Sequence, residues 1–266
     1  MPRFALGVEY DGTAFMGWQR QPHAGRTVQG CLEQALSRVA DHPVEITCAG
    51  RTDAGVHASA QVVHFDSSAV RELRNWLLGL NANLPADVAV NWVRPVAEDF
   101  HARFQARARH YRYTILNRAT RPVLARAQAT WTHRPLDHVR MQTAAKCLLG
   151  EHDFSAFRAI ECQAHSPVRT LHLLRVERHD ELIWIDVVAN AFLHHMVRNI
   201  AGVLMAIGAG KQGVEWTQSV LAGRDRRLGG VTAAPEGLCF RAVLYPPRFD
   251  IPLSDGALFD GLSVTL

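Results

Sequence analysis

Arg51 and Asp53 stand two residues apart in Gly50-Arg51-Thr52-Asp53-Ala54-Gly55, a turn bracketed by glycines that lack the β-carbon restricting tight backbone geometry. A carboxylate displayed on such a turn could attack an electrophilic carbon, take up a proton or steady a developing positive charge. The same residues also make an ordinary turn, because Asp between glycines caps its own backbone and an exposed Arg beside it contributes little. Residue types alone leave both readings open, with Asp53 as the candidate.

The turn is carried by two alternating segments. Val44, Ile46 and Cys48 share a face on the way in, and Gln61, Val63 and Phe65 share one on the way out, the period of half-buried strands. Loops held between strands are where chains position reactive groups. A second chemical feature lies downstream. From Phe100 to Pro135 there is no acidic residue, while Arg103, Arg107, Arg109, Arg112, Arg118, Arg121, Arg126 and Arg134 fall in that window. Such a stretch suits phosphate oxygens and points to nucleic acid, or else forms a solvated basic face. Arg224, Arg226 and Arg227 make a smaller cluster.

Around these features the periodicity predicts two halves with one order of elements. In the first, a strand over Ala5–Tyr10 precedes a helix capped by Thr27 with the stripe Val28, Leu32, Ala35, Leu36 and Val39. After the strands around Asp53, a second helix capped by Ser68 carries Val70, Leu73, Leu77 and Leu80, and ends before Asn83-Leu84-Pro85 and a strand from Val88 to Val93. In the second half, a strand from Arg109 to Leu116 leads to a helix capped by Asp137, strands near 171–177 and 183–188, and a long helix over about 191–207. The stripe of that helix is Met196, Ile200, Val203, Leu204 and Ile207. The expected fold is α+β: two similar units, residues 1–107 and 108–246, with antiparallel or mixed sheets flanked by helices, a basic cleft between them and a tail over 247–266.

Arg198 points away from the stripe of its helix, with His194 on the same side, which leaves a solvated arginine or one facing a cleft. Tyr111 shares a strand face with Tyr113 and Ile115, the pattern of a core tyrosine. His194-His195 lacks a third ligand at useful spacing, so no metal site is expected. Five scattered cysteines without a Cys-x-x-Cys pair argue against a disulfide framework or zinc ribbon. With 48% hydrophobic and 20% charged residues, disorder is excluded. No apolar run approaches a membrane span and the first residues carry no signal region, so the cytoplasm is the expected compartment.

The segment Gly50–Ala58 resembles the signature of the TruA family of tRNA pseudouridine synthases. Gly17-Trp18-Gln19, Thr27-Val28-Gln29, Tyr111-Arg112-Tyr113, His152-Asp153-Phe154-Ser155, Ser166-Pro167-Val168-Arg169, Phe192–Asn199 and Ala234–Leu238 resemble further blocks of that family, in order. Cys48 and Cys239-Phe240-Arg241 depart from its usual pattern at positions without a proposed chemical role. The resemblance implies a homodimer that binds the anticodon arm of tRNA and isomerises uridine at positions 38 to 40 to pseudouridine, with neither metal nor cofactor. It implies Asp53 as the catalytic carboxylate, Tyr111 stacking on the uracil, Arg198 pairing with Asp53, and Arg51 filling the space the base vacates. The competing expectations are a non-catalytic RNA-binding protein on the same scaffold and an N-ribosyl hydrolase that releases free uracil.

Overall fold

The computed structural model describes residues 1–21, 25–254 and 258–259. In chain order the elements are β1 (Arg3–Tyr10), α1 (Val28–Ala40), β2 (Thr47–Cys48), β3 (His57–Asp66), α2 (Leu73–Asn83), β4 (Val88–Val96) and β5 (Ala108–Asn117). There follow β6 (Thr130–Thr132), α3 (His138–Ala145), β7 (Gly150–Asp153), β8 (Val168–His179), β9 (Leu182–Ala189), α4 (Met196–Gly208), α5 (Trp216–Gly223) and β10 (Leu238–Leu244). Two compact units result: Met1–Arg109 with the described part of Phe240–Asp260, and His110–Cys239. The chain is thus α+β, as expected.

In the first unit the strands run in the order β4-β1-β3-β10, with β2 beside β3. Leu6 of β1 stands opposite Val63 of β3 and Val93 of β4, both pairings antiparallel, so one face of the sheet is apolar. Leu32 and Leu36 of α1 are fully buried in this unit, and Phe4, Phe65 and Trp76 form an aromatic cluster with Phe65 5.4 Å from Phe4 and 5.3 Å from Trp76. Thr27 caps α1 as its sequence predicts, accepting the Gly30 N–H.

The second helix departs from expectation. It begins at Leu73, not after Ser68; Val70 is exposed, and the buried pair is Trp76 and Leu80, one turn apart. Ser67 is the reason: its buried hydroxyl accepts the Ala69 N–H and meets the His42 ring, holding the chain in a turn where a helix would otherwise start.

The second unit orders its strands β5-β9-β8-β7, with β6 parallel to β5. β8 and β9 form an antiparallel hairpin whose connection places Asp180 in the left-handed region at φ 52°. Asp137 caps α3 by accepting the N–H groups of Val139 and Arg140. All five stripe residues of α4 are buried, but the helix starts at Met196, five residues later than expected, after His195 turns the chain at φ 61°. The strands β6, β7 and β10 and the helix α5 are additions that the sequence analysis did not predict; none exceeds eight residues, and in β10 buried Leu238, Phe240 and Ala242 alternate with half-buried Cys239 and Arg241. Of the expected tail, Pro247–Phe249 form a 3-10 turn, and residues 255–257 and 260–266 lie outside the described residues.

Candidate functional site

The Asp53 loop is built from inside its own unit. At its start, Gln61 uses its side-chain amide as a backbone would: Nε2 donates to the Gly50 carbonyl at 2.6 Å, and Oε1 accepts the Gly50 N–H. Gln61 is fully buried, so this exchange satisfies an amide that would otherwise be stranded. At the centre, Thr52 is buried, its hydroxyl 2.7 Å from that of Tyr10, while its carbonyl accepts the Trp18 N–H. At the far end, Val56 N–H closes the turn onto the Asp53 carbonyl, and Gly55, at φ 77°, donates to the Phe15 carbonyl.

Gly17 completes the frame. At φ 92° it lies so close to the loop that a β-carbon there would stand 3.0 Å from the Thr52 carbonyl oxygen, 3.1 Å from Ala54 N and 3.2 Å from the Asp53 carbonyl carbon. The backbone of residues 50–56 is therefore held on three sides. Its side chains alternate in consequence: Thr52 points into the unit, whereas Arg51 is exposed and Asp53 half-buried. The turn is thus more than a self-capped one.

Behind the loop lies an arginine that the sequence reading placed among the phosphate binders. Arg109 is only 8% exposed. Its Nε and Nη2 donate to the Ala49 carbonyl at 3.3 and 3.2 Å, Nη2 also to the Arg103 carbonyl, and Nη1 to the Ala106 carbonyl at 3.1 Å. One guanidinium fork thereby ties the entrance of the Asp53 loop to the arginine-rich segment. Cys48, next to Ala49, is buried, and burial pushes its thiol up to about 12, so it is inert packing.

In the second unit, Tyr111 is 7% exposed, and its ring meets Phe192 edge-on at 4.9 Å. Its strand neighbour Tyr113 is fully buried, with its hydroxyl 2.6 Å from that of Thr130 and donating to the Ala234 carbonyl. Arg198 is half-buried on α4. Its Nε donates to the Ala233 carbonyl at 2.8 Å while the Ala233 N–H returns to the Arg198 carbonyl, so this side chain is oriented, not freely solvated. The close approach is possible because Gly202, one turn on, has no side chain where a β-carbon would stand 1.9 Å from the Val231 carbonyl oxygen. The rings of His194 and His195 lie 4.0 Å apart, tilted by 41°, just before α4.

The arginine window divides. Arg112 is committed to Asp186, with Nε 2.8 Å from its carboxylate, and lies over the Trp184 ring at 4.3 Å. Burial opposes charge on Asp186, yet hydrogen bonds from His110 and Arg112 hold its carboxyl below the usual range. Arg118 pairs with Glu181 at 3.1 Å. Arg103, Arg107, Arg121, Arg126 and Arg134 are exposed and keep the character the sequence suggested. Arg109 and Arg112 do not, because carbonyls and a carboxylate distant in sequence capture them. Gln61 and Gly17 are functional supports that periodicity alone missed: Gln61 read as one of a strand's inward residues, and the signal was a polar amide among Val63 and Phe65.

The family model for tRNA pseudouridine synthase matches residues 7–105 and 144–246, covering most of both units. Curated relatives named tRNA pseudouridine synthase A include one from Alcanivorax borkumensis, 56% identical over 252 residues, covering 95% of this chain and 94% of that protein. Others come from Pseudomonas aeruginosa, 57% identical over 250 residues and covering 94% and 88%, and from Nitrosococcus oceani, 59% identical and covering 94% and 96%.

Proposed function

The chain belongs to the tRNA pseudouridine synthase family, and from that premise we propose that it acts on uridines 38 to 40 of the anticodon stem-loop with Asp53 as its catalytic carboxylate. It is an isomerase that converts uridine in tRNA to pseudouridine. The reaction breaks the bond between N1 and the ribose, turns the uracil and rejoins it through C5, so the proton lost from C5 is balanced by the one gained at N1. No atom enters or leaves.

The single observation that carries the assignment of Asp53 is the loop itself: Gln61 holds Gly50, Tyr10 and Trp18 hold Thr52, Phe15 holds Gly55, and Gly17 packs against the backbone of residues 52–54, while the Asp53 side chain remains half-buried. Such fixing is what a reacting carboxylate needs, because catalysis demands little reorganisation at the moment of charge development. As the glycosidic bond stretches, the sugar carbon takes on oxocarbenium character, which an ionised carboxylate can stabilise or attack.

The target base must leave its stack, which costs a few kcal/mol. In this reading Tyr111 stacks on the everted uracil and returns roughly 1–3 kcal/mol of that. Arg51, exposed beside Asp53, fills the gap, and Arg198 serves in this reading as the partner of the Asp53 carboxylate. The exposed arginines of the 103–134 window hold phosphates and set register. The protein works as a homodimer in the cytoplasm; no helix among the described residues is long and apolar enough to cross a membrane.

Asp53→Ala tests the assignment. The variant should bind tRNA within about twofold of the parent and form no pseudouridine. Residual conversion would remove Asp53 from the chemistry, and free uracil among the parent enzyme's products would make it an N-ribosyl hydrolase.

A further inference from the structure

We propose that Phe104, on an arginine-flanked ledge of the first unit, is a stacking site for an unpaired base of the tRNA substrate. The inference rests on the reading of tRNA as substrate and adds a contact outside the Asp53 loop.

Phe104 is 74% exposed, although its neighbours Phe100 and Ala102 are completely buried. It is no loose loop tip. The N–H groups of Arg103 and Phe104 both donate to His101 Nδ1 at 3.2 Å, and the Gln105 N–H returns to the His101 carbonyl. Ala102 is held on both sides, its N–H on His64 Nδ1 at 3.1 Å and its carbonyl accepting the Tyr245 hydroxyl at 2.6 Å. Arg109 holds the carbonyls of Arg103 and Ala106 from behind. A ring displayed on so rigid a ledge loses little further freedom on binding.

The ring is already half of a stack. His101 lies against it at 4.3 Å with the planes only 26° apart, and the Arg103 guanidinium stands 5.6 Å from its centroid. A third flat ring extends this stack, and an exposed Arg beside it can turn to the phosphate of the same nucleotide. The charge favours RNA over another protein surface: Arg103 stands over the ring and Arg107 follows three residues on, both exposed, and no acidic residue occurs between Phe100 and Pro135. A single ring beside an arginine is also too small an apolar patch for the core of a protein interface, which requires several hundred Å².

Binding of unmodified tRNA by anisotropy and turnover by pseudouridine formation test this in F104A, F104L and F104W. F104A and F104L should both raise Kd and KM about tenfold with kcat changed less than twofold, while F104W stays at or below the parent values. F104W should also gain tryptophan quenching on tRNA addition beyond that of the parent. The salt slope of binding should stay unchanged in F104A and flatten when Arg103 and Arg107 are both replaced by Ala. Parental affinity in F104A, or in F104L, would overturn the proposal, the latter because an apolar contact without a π-face would then suffice. So would a change in sedimented mass in F104A, which would make the ring a contact between copies. Because Asp53→Ala reports on conversion and Phe104 on affinity, failure of one leaves the other readable.

Discussion

Replacing Arg109 should destabilise the first unit and slow turnover without touching phosphate binding. Its guanidinium supplies donors to three carbonyls, those of Ala49, Arg103 and Ala106, from a buried position. Arg109→Met keeps the stem's packing but strands those acceptors, each worth roughly 1–3 kcal/mol when a charged donor is withdrawn. Because some will find water, the sum is about 3–5 kcal/mol, a large part of the ~5–15 kcal/mol by which a domain is stable. Arg109→Lys retains one ammonium that reaches some of the three carbonyls but not the planar fork, so its loss should be about 2–3 kcal/mol. In urea, with a slope of about 3 kcal/mol per molar, the Met variant's midpoint falls by at least ~1 M.

Turnover reports separately on position. Ala49 opens the Asp53 loop, so its displacement by even an ångström should lower kcat by about 10²-fold, with Lys intermediate between Met and parent. The salt slope of tRNA affinity should match the parent, in contrast to Arg107→Ala, whose side chain is exposed. A Met variant with a midpoint within ~0.2 M of the parent, or a slope flattened as in Arg107→Ala, would refute this account.

Two further outcomes follow from the same unit. Gly17→Ala places a methyl group against the backbone of Thr52, Asp53 and Ala54 at a φ of 92°, so stability should fall by about 1–3 kcal/mol and kcat by tenfold or more with tRNA affinity nearly unchanged; an unaltered kcat would show the loop tolerates the push. His64 is held down to about 4 chiefly by burial, then by His101 and Arg3, while its Nδ1 accepts the Ala102 N–H. The unfolded chain therefore takes up this proton below about 6.5 and the folded chain only below about 4, so the stability is complete above pH 6.5 and declines as pH falls toward 4, by at most ~3 kcal/mol. Urea midpoints between pH 7.5 and 4.5 should drop less steeply in His64→Gln, and equal slopes would discount the ring.

Much of the local structure was legible without coordinates, because it resides in residue types at short spacing. The glycine-bracketed Arg51 and Asp53, the cap residues Thr27 and Asp137 and the stripe of α4 are local patterns, set by turn geometry and a period of 3.6 residues. Local signals misled where the chain turned first: Ser67, meeting His42, delays α2, and His195 in the left-handed region delays α4.

What tertiary structure alone decided is the fate of each charge and amide. Eight arginines in a window without acids look alike in sequence, yet Arg109 is spent on the Ala49 carbonyl sixty residues away, Arg112 on Asp186, and Arg103 remains outside. Gln61 became the anchor of Gly50 by the same rule. A polar group's partner is whichever group the fold brings within hydrogen-bond reach once water is excluded, and separation along the chain does not enter that energy.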